Sequence, residues 1–183
     1  MNKALLSLFT ILACSAFAEP AVLLVDKAAS RVNVDVHATT DSFIGQLSNY
    51  EAVIAVDPAT GSVANCKLSF RVLDIKTGKD KRDRAMHDWQ KTESFPDASF
   101  VMESIQPSVG NIYSVKGTFT FHGVSKPLSF PLTVTRKDKQ FQFDGEAIID
   151  TQDYTLPIIR MMMVIKVDPK VKVAFHLEAA LKP

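Results

Sequence analysis

The groups in this chain that could do chemistry are few and scattered. Four histidines (His37, His87, His122 and His176) and two cysteines (Cys14 and Cys66) make up the inventory of soft or titratable ligands near neutral pH. None of the histidines stands beside another histidine or a cysteine at the short spacings that zinc sites use. The chain contains no G-x-S-x-G, no phosphate-binding G-x-x-x-x-G-K-[ST], no H-E-x-x-H and no G-x-G-x-x-G. His122 precedes Gly123 at a strand end and reads as a turn or hydrogen-bonding residue. His37 and His176 fall on polar strand faces and read as solvated. His87 adjoins Asp88 in a helix-like stretch, where sequence neighbours do not face each other. Met161, Met162 and Met163 offer thioethers that suit Cu(I), but only two of them would share a strand face. Adaptable packing is the plainer role for that run. Cys66 alternates with Leu68 on an apolar face, as an inert buried thiol does. No catalytic residue, metal site or cofactor is expected.

Composition narrows the field further. The chain has 183 residues, of which 46% are hydrophobic and 22% charged, with a formal charge of +1. That is enough apolar matter for a packed core in one domain, and too little positive charge for a nucleic-acid footprint. Residues 1–18, MNKALLSLFTILACSAFA, carry a lysine, a short apolar run and an A-x-A pattern before Glu19. This reads as a secretory signal cleaved after Ala18, leaving residues 19–183 as the working domain. The run is too short to span a bilayer, so no permanent membrane span is expected. A lipoprotein reading, with Cys14 lipidated, stays open. Without Cys14 only Cys66 remains, so an internal disulfide is excluded and stability must come from burial.

What would position any site is a series of strands. Val32, Val34 and Val36 alternate with polar neighbours, as do Cys66, Leu68, Phe70 and Val72. Leu128, Phe130, Leu132 and Val134 form a third such face, and Phe141, Phe143, Gly145, Ala147 and Ile149 a fourth. Val171, Val173, Phe175 and Leu177 form the last. Alternation with a period of two gives each strand one apolar and one wet face. Asp57-Pro58-Ala59-Thr60-Gly61, Gly110-Asn111, Lys137-Asp138-Lys139 and Asp168-Pro169-Lys170 are turn signals, and such short connections favour antiparallel neighbours. Only 79–93, KDKRDRAMHDWQKTE, breaks the rhythm. It predicts one short helix ended by Pro96, with Asp80 or Asp83 capping and Ala85, Met86 and Trp89 on one face. Long alternating strands need a sandwich or a barrel, and a barrel removes the exposed edges. Gly45, Gly117 and Gly145 inside strand patterns suit strong curvature.

Several blocks resemble one known family. Ser42-Phe43-Ile44-Gly45, Asp74-Ile75-Lys76-Thr77-Gly78 and Phe95-Pro96-Asp97-Ala98-Ser99-Phe100 are similar to motifs of the YceI-like secreted proteins, in the same order. The most specific block, Gly117-Thr118-Phe119-Thr120-Phe121-His122-Gly123-Val124-Ser125-Lys126-Pro127, resembles that family's G-x-L-T-x-H-G-V-T-K-P. Phe119 and Ser125 depart from the usual Leu and Thr, and Met86-His87-Asp88-Trp89 from the commoner helix motif. The resemblance implies an all-β, antiparallel, lipocalin-like barrel with one short helix and an elongated apolar cavity. It also implies a periplasmic location and a polyisoprenoid or other long-chain lipid as partner.

Read with that architecture, the apolar faces predict a lining of Phe70, Phe130, Phe141, Phe143 and Phe175, with Met86 and Trp89 plugging or gating the barrel. The same faces would equally fill a solid core. Arg82, Asp83 and Arg84 form a charge cluster that serves as a solvated face, or places Arg82 or Arg84 against an anionic head group such as a pyrophosphate. The expected function is non-catalytic lipid binding for transport, storage or sequestration. Two others stay open: a lipid-modifying enzyme on the same barrel, and an interaction module partnering a membrane redox protein. A homodimer is also left open.

Overall fold

The computed structural model describes residues 19–39, 41–161 and 165–182. The signal segment expected over 1–18, Cys14 within it, and the Met162–Met163 pair lie outside the described residues.

Strands follow the alternating segments. In chain order they are β1 (Ala21–His37), β2 (Ser42–Leu47), β3 (Glu51–Val56), β4 (Val63–Arg71), β5 (Ile75–Lys76), β6 (Asp97–Pro107) and β7 (Ile112–Phe121). Then come β8 (Val124–Lys137), β9 (Gln140–Asp150), β10 (Arg160–Met161), β11 (Ile165–Lys166) and β12 (Lys170–Leu181), with one helix, α1 (Asp80–Gln90), between β5 and β6. Eight of these strands form a ring in the order β12-β9-β8-β7-β6-β4-β3-β1, every pairing antiparallel, and β1 pairs back onto β12. The molecule is therefore a closed antiparallel β-barrel, and the sandwich alternative falls. Closure joins the two ends of the described chain: Leu23 opposes Leu181, and Val34 opposes Val173.

β1 is long enough to serve two neighbours on its other side. Ala21 and Val22 pair with β3, whereas Asn33–His37 pair with β2, which in turn pairs with β5. The strand changes register between Asp26 and Arg31, where the Asp26 carboxylate accepts from the amides of Ala28 and Ala29. A bulge there bends the strand and lets one segment reach both neighbours. Two glycines permit close cross-strand contacts. A Cβ on Gly145 would collide with the ring of Phe175, its cross-strand partner. A Cβ on Gly117 would collide with the Val101 carbonyl oxygen, beside the irregularity between Met102 and Ser104.

The turn chemistry explains the hairpins. Asp57 accepts from the amides of Ala59 and Thr60, and Gly61 takes φ +76° to close the β3–β4 loop. Asp138 holds φ 56° at the β8–β9 tip.

The helix departs from expectation at both ends. Pro96 does not stop it. The chain turns at Lys91, in the left-handed region at φ 50°, whose amide donates to Asp88, while the Thr92 amide donates to His87. Nor does Asp80 or Asp83 cap the start: Lys79 occupies that position without a capping side-chain bond. Asp83 instead reaches back to Thr77, accepting from its amide at 3.0 Å and its hydroxyl at 2.6 Å. Burial raises the Asp83 pKa, but these two bonds, together with the charges of Lys76 and His87, outweigh it and hold the carboxyl below its ordinary range.

Inward side chains pack solidly at one end of the barrel. Leu23, Val56, Phe141 and Ala179 are buried there, Val56 and Phe141 completely. The other end is different.

Candidate functional site

Between the packed end and α1 the barrel is hollow. The cavity measures about 850 Å³, within the range of about 300–1,000 Å³ typical of small-molecule sites. Its walls come from the inward positions of nearly every barrel strand: Val34 on β1, Leu68 and Phe70 on β4, Phe130 and Leu132 on β8, Phe143 on β9, Phe175 on β12. Period-two alternation places these residues on one continuous surface, because each strand turns every second side chain inward.

Aromatic rings girdle the middle. Phe130 meets Phe100 at 5.4 Å between centroids and Phe175 at 5.8 Å, the latter edge to face at 88°. Such tilted contacts satisfy the ring quadrupoles and fix the wall without filling the space it encloses. Cys66 also faces the cavity; burial pushes its thiol up to about 11, so it stays protonated and unreactive.

The helix roofs the open end. Ala85, Met86 and Trp89 line the cavity from one face of α1. Trp89 fastens that roof: its indole N–H donates to the Pro157 carbonyl at 3.0 Å. Pro157, Ile158 and Ile159 line the rim opposite, a stretch in which no pattern announced a role. The rim is charged, carrying Lys79, Lys81, Arg82 and Arg160 against Asp41 and Asp168. The Arg82 guanidinium lies 4.2 Å above the ring of Phe43 on β2.

Of the residues expected to line a cavity, Phe70, Met86, Trp89, Phe130, Phe143 and Phe175 face it. Phe141 does not. It is fully buried and stacked on Phe143 at 6.1 Å, interplanar angle 8°, where the packed end leaves no space. Strand parity gave the correct face for Phe141 but says nothing of depth along the barrel. Of the two arginines offered for a head group, the structure separates Arg84 from Arg82. Arg84 is exposed and off the lining face, whereas Arg82 stands three, four and seven residues from Ala85, Met86 and Trp89. Helical spacing carried that distinction. The alternation of Val115, Gly117, Phe119 and Phe121 likewise marks an inward face, and Val115, Phe119 and Phe121 line the cavity.

The histidines lie apart. His122, buried at φ 49°, donates from Nδ1 to the Tyr154 carbonyl at 3.0 Å and packs against Phe95 with ring centroids 4.1 Å apart and planes tilted by 48°. It fastens the β7–β8 turn to the segment after β9. His37 shares a 2.9 Å hydrogen bond with the Ser42 hydroxyl. His176 is more engaged than a solvated residue: on the outer wall it bridges Asp144 at 2.7 Å and Glu178 at 3.2 Å. Among the described residues, no three or more His, Cys, Asp or Glu side chains gather as a metal site.

A closed antiparallel barrel, hollow and apolar within and roofed by a short helix, belongs to the class of internal-cavity barrels that includes the lipocalins. The family follows from comparison. The model of the YceI-like domain matches residues 24–179, and the chain belongs to that family. A UPF0312 protein of Pseudomonas putida is 27% identical over 141 residues, covering 74% of this chain and 73% of its own length. BcnA of Burkholderia cenocepacia superimposes with a TM-score of 0.76 at 25% identity, over 85% of this chain and 99% of BcnA. A polyisoprenoid binding domain from Saccharophagus degradans has the same fold, with a TM-score of 0.68 at 18% identity, over 90% of this chain and 100% of that domain. Among the described residues, no helix is long and apolar enough to cross a membrane.

Proposed function

We propose that this protein binds one long apolar lipid chain, a polyisoprenoid or similar amphiphile, inside the barrel, and carries or stores it in the periplasm without altering its bonds. The cavity carries this reading: about 850 Å³ of space whose strand-borne walls are almost wholly apolar. Transfer of an alkyl or prenyl chain from water gains roughly 0.8 kcal/mol per buried methylene. Net affinity is smaller, at about 0.3 kcal/mol per heavy atom for larger ligands, so a chain of about twenty carbons binds with about 6 kcal/mol. Binding of this kind needs no catalytic group. Membership of the YceI-like family and the fold shared with the polyisoprenoid binding domain of S. degradans support the lipid class. The leader-like segment at residues 1–18 supports the compartment.

In this reading Phe70, Phe130, Phe143 and Phe175 contact the tail, and Met86 and Trp89 cover it. Gentle purification followed by solvent extraction and mass spectrometry is the test. A long-chain lipid in stoichiometric amount is expected. Protein that carries no lipid and takes up neither added prenyl nor fatty chains would overturn the reading.

A further inference from the structure

The barrel wall has a seam between β8 and β9. Resting on the lipid-binding reading, we infer that this seam is a side door to the cavity: its two lips part to pass cargo while the neighbouring walls stay paired.

The seam is set by two prolines. β8 covers Val124–Lys137 and β9 covers Gln140–Asp150, yet they pair only from Lys137 opposite Gln140 back to Leu132 opposite Gly145. Beyond that point, among the described residues, Val124–Pro131 have β7 as their one strand neighbour, and Glu146–Asp150 have β12. In an antiparallel ladder every second pair exchanges two hydrogen bonds. Counted from Lys137, which closes a two-residue turn, those rungs fall at Lys137, Thr135 and Thr133, and the next falls at Pro131. Proline has no N–H to give, so the ladder stops where that rung is due. Pro127 removes the donor of the rung after next. Both prolines are tolerated because their nitrogens face away from β7.

The lips are built for an apolar guest. Leu128 and Phe130 on β8, and Ala147 and Ile149 on β9, line the cavity from either side of the seam. Outside, a groove of about 540 Å³ opens at the fork, with Pro131 and Thr133 on one bank and Glu146 on the other. Ile148, 55% exposed on the β9 lip, gives an approaching chain its first apolar contact.

The lips are clasped at the mouth by side chains, not by a ladder. From the β7–β8 turn, His122 donates to the Tyr154 carbonyl at 3.0 Å, and the Thr155 hydroxyl lies 3.1 Å from the same nitrogen. Tyr154 and Thr155 follow β9 through a short 3-10 turn, so this contact ties one lip to the other. The Trp89 indole ties the same segment, at Pro157, to the roof. Tyr154 also packs on the rings of Phe119 and Phe121. The junctions on either side are different: all of β7 pairs with β8, and all of β9 pairs with β12. Opening there would break a whole ladder, whereas opening the seam breaks two clasps and one aromatic contact. The β1–β3 junction is also short, but β2 takes over along Asn33–His37.

Cargo exchange tests the door. Affinity is read by displacement of a fluorescent fatty chain, and release by stopped flow after addition of excess unlabelled hexadecanoate. Ser129 and Ile148, both exposed, would stand opposite each other if the ladder continued. Ser129→Cys with Ile148→Cys, bridged by a bis-maleimide with a cleavable disulfide spacer, should slow release at least about tenfold, and reductant should restore it. Cys66, buried and protonated, does not take the reagent. Pro127→Val with Pro131→Val returns the two missing donors. Hydrogen exchange should then show new protection of the Glu146 and Ile148 amides, with release at least about threefold slower and affinity within about twofold of wild type. His122→Asn keeps a residue at ease with positive φ but loosens the clasp, and should speed release at least about threefold. Wild-type release from the bridged protein, or from a proline variant that shows the new protection, would overturn the door and leave lipid binding standing. The bridged arm joins a chain already folded, so it decides the matter even where the proline variant does not fold. Failure of the wild type to take up the fatty chain would overturn the lipid-binding reading and the door with it.

Discussion

The two ends of the barrel are built by the same alternating strands, yet one is solid and the other hollow. Phe141 and Phe143 stand two residues apart on β9, on the same face, with stacked rings. Phe141 is wholly buried among side chains; Phe143 forms part of the cavity wall. At the packed end Leu23 and Val56 fill the bore from β1 and β3. At the open end half-buried Met86 and Trp89 on α1 roof the space. Inward-facing apolar residues are thus necessary for both core and cavity. What separates the two is whether opposing side chains meet.

That contrast can be broken by substitution. The largest effect belongs to the packed end. Phe141→Ala removes a fully buried ring and should cost about 3–5 kcal/mol, seen as a lower denaturant midpoint, while the folded fraction keeps its lipid uptake. A loss below about 1 kcal/mol would mean that the end is not close-packed.

Phe175→Asp should do the reverse. Phe175 is half-buried beside the cavity, so the chain should fold with moderate loss, but long-chain uptake should fall at least about tenfold by the same displacement assay. Undiminished uptake in the folded variant would show that the tail lies elsewhere.

Trp89→Phe tests the roof. It keeps the ring and removes the donor to the Pro157 carbonyl. A stability loss of about 0.5–1.5 kcal/mol is expected, together with faster release of cargo in stopped-flow exchange. Unchanged release would remove Trp89 as a fastener.

The smallest effect lies on the outer wall, away from the cavity. Hydrogen bonding to Asp144 raises the His176 pKa; burial opposes this, and Glu178 adds to the rise. A histidine with a raised folded pKa contributes stability fully below its unfolded value of about 6.5. That contribution is lost as pH rises through the folded value. The thermal midpoint should therefore decline across this range in the wild type more than in His176→Gln. Parallel profiles would show that the bridge is energetically silent.

The sequence made the walls legible and the depth illegible. Alternation identified the inward faces around Phe70, Phe130, Phe143 and Phe175, because a strand's period is independent of its partners. The same alternation could not separate barrel from sandwich. That choice is made by β1 pairing with β12, a contact between residues about as far apart in the chain as any described. Phe141 was misjudged because parity is silent about position along the bore. Arg82 and Arg84 were left together because the charge cluster was read without its helical phase; Arg84 lies on the solvated face. The Pro157–Arg160 rim has no periodic signal at all; only the tertiary path of the chain brings it opposite α1. Within α1, by contrast, the shared face of Ala85, Met86 and Trp89 was readable from spacing alone.

The central claim is that the barrel's apolar interior is vacant for a guest. Crystallography of the protein loaded with a terminally brominated hexadecyl chain tests it most directly. The account predicts an anomalous bromine peak inside the barrel between Phe70, Phe130 and Phe175, with the packed end around Phe141 unchanged. A bore closed by its own side chains, with bromine only on the outer surface, would contradict it.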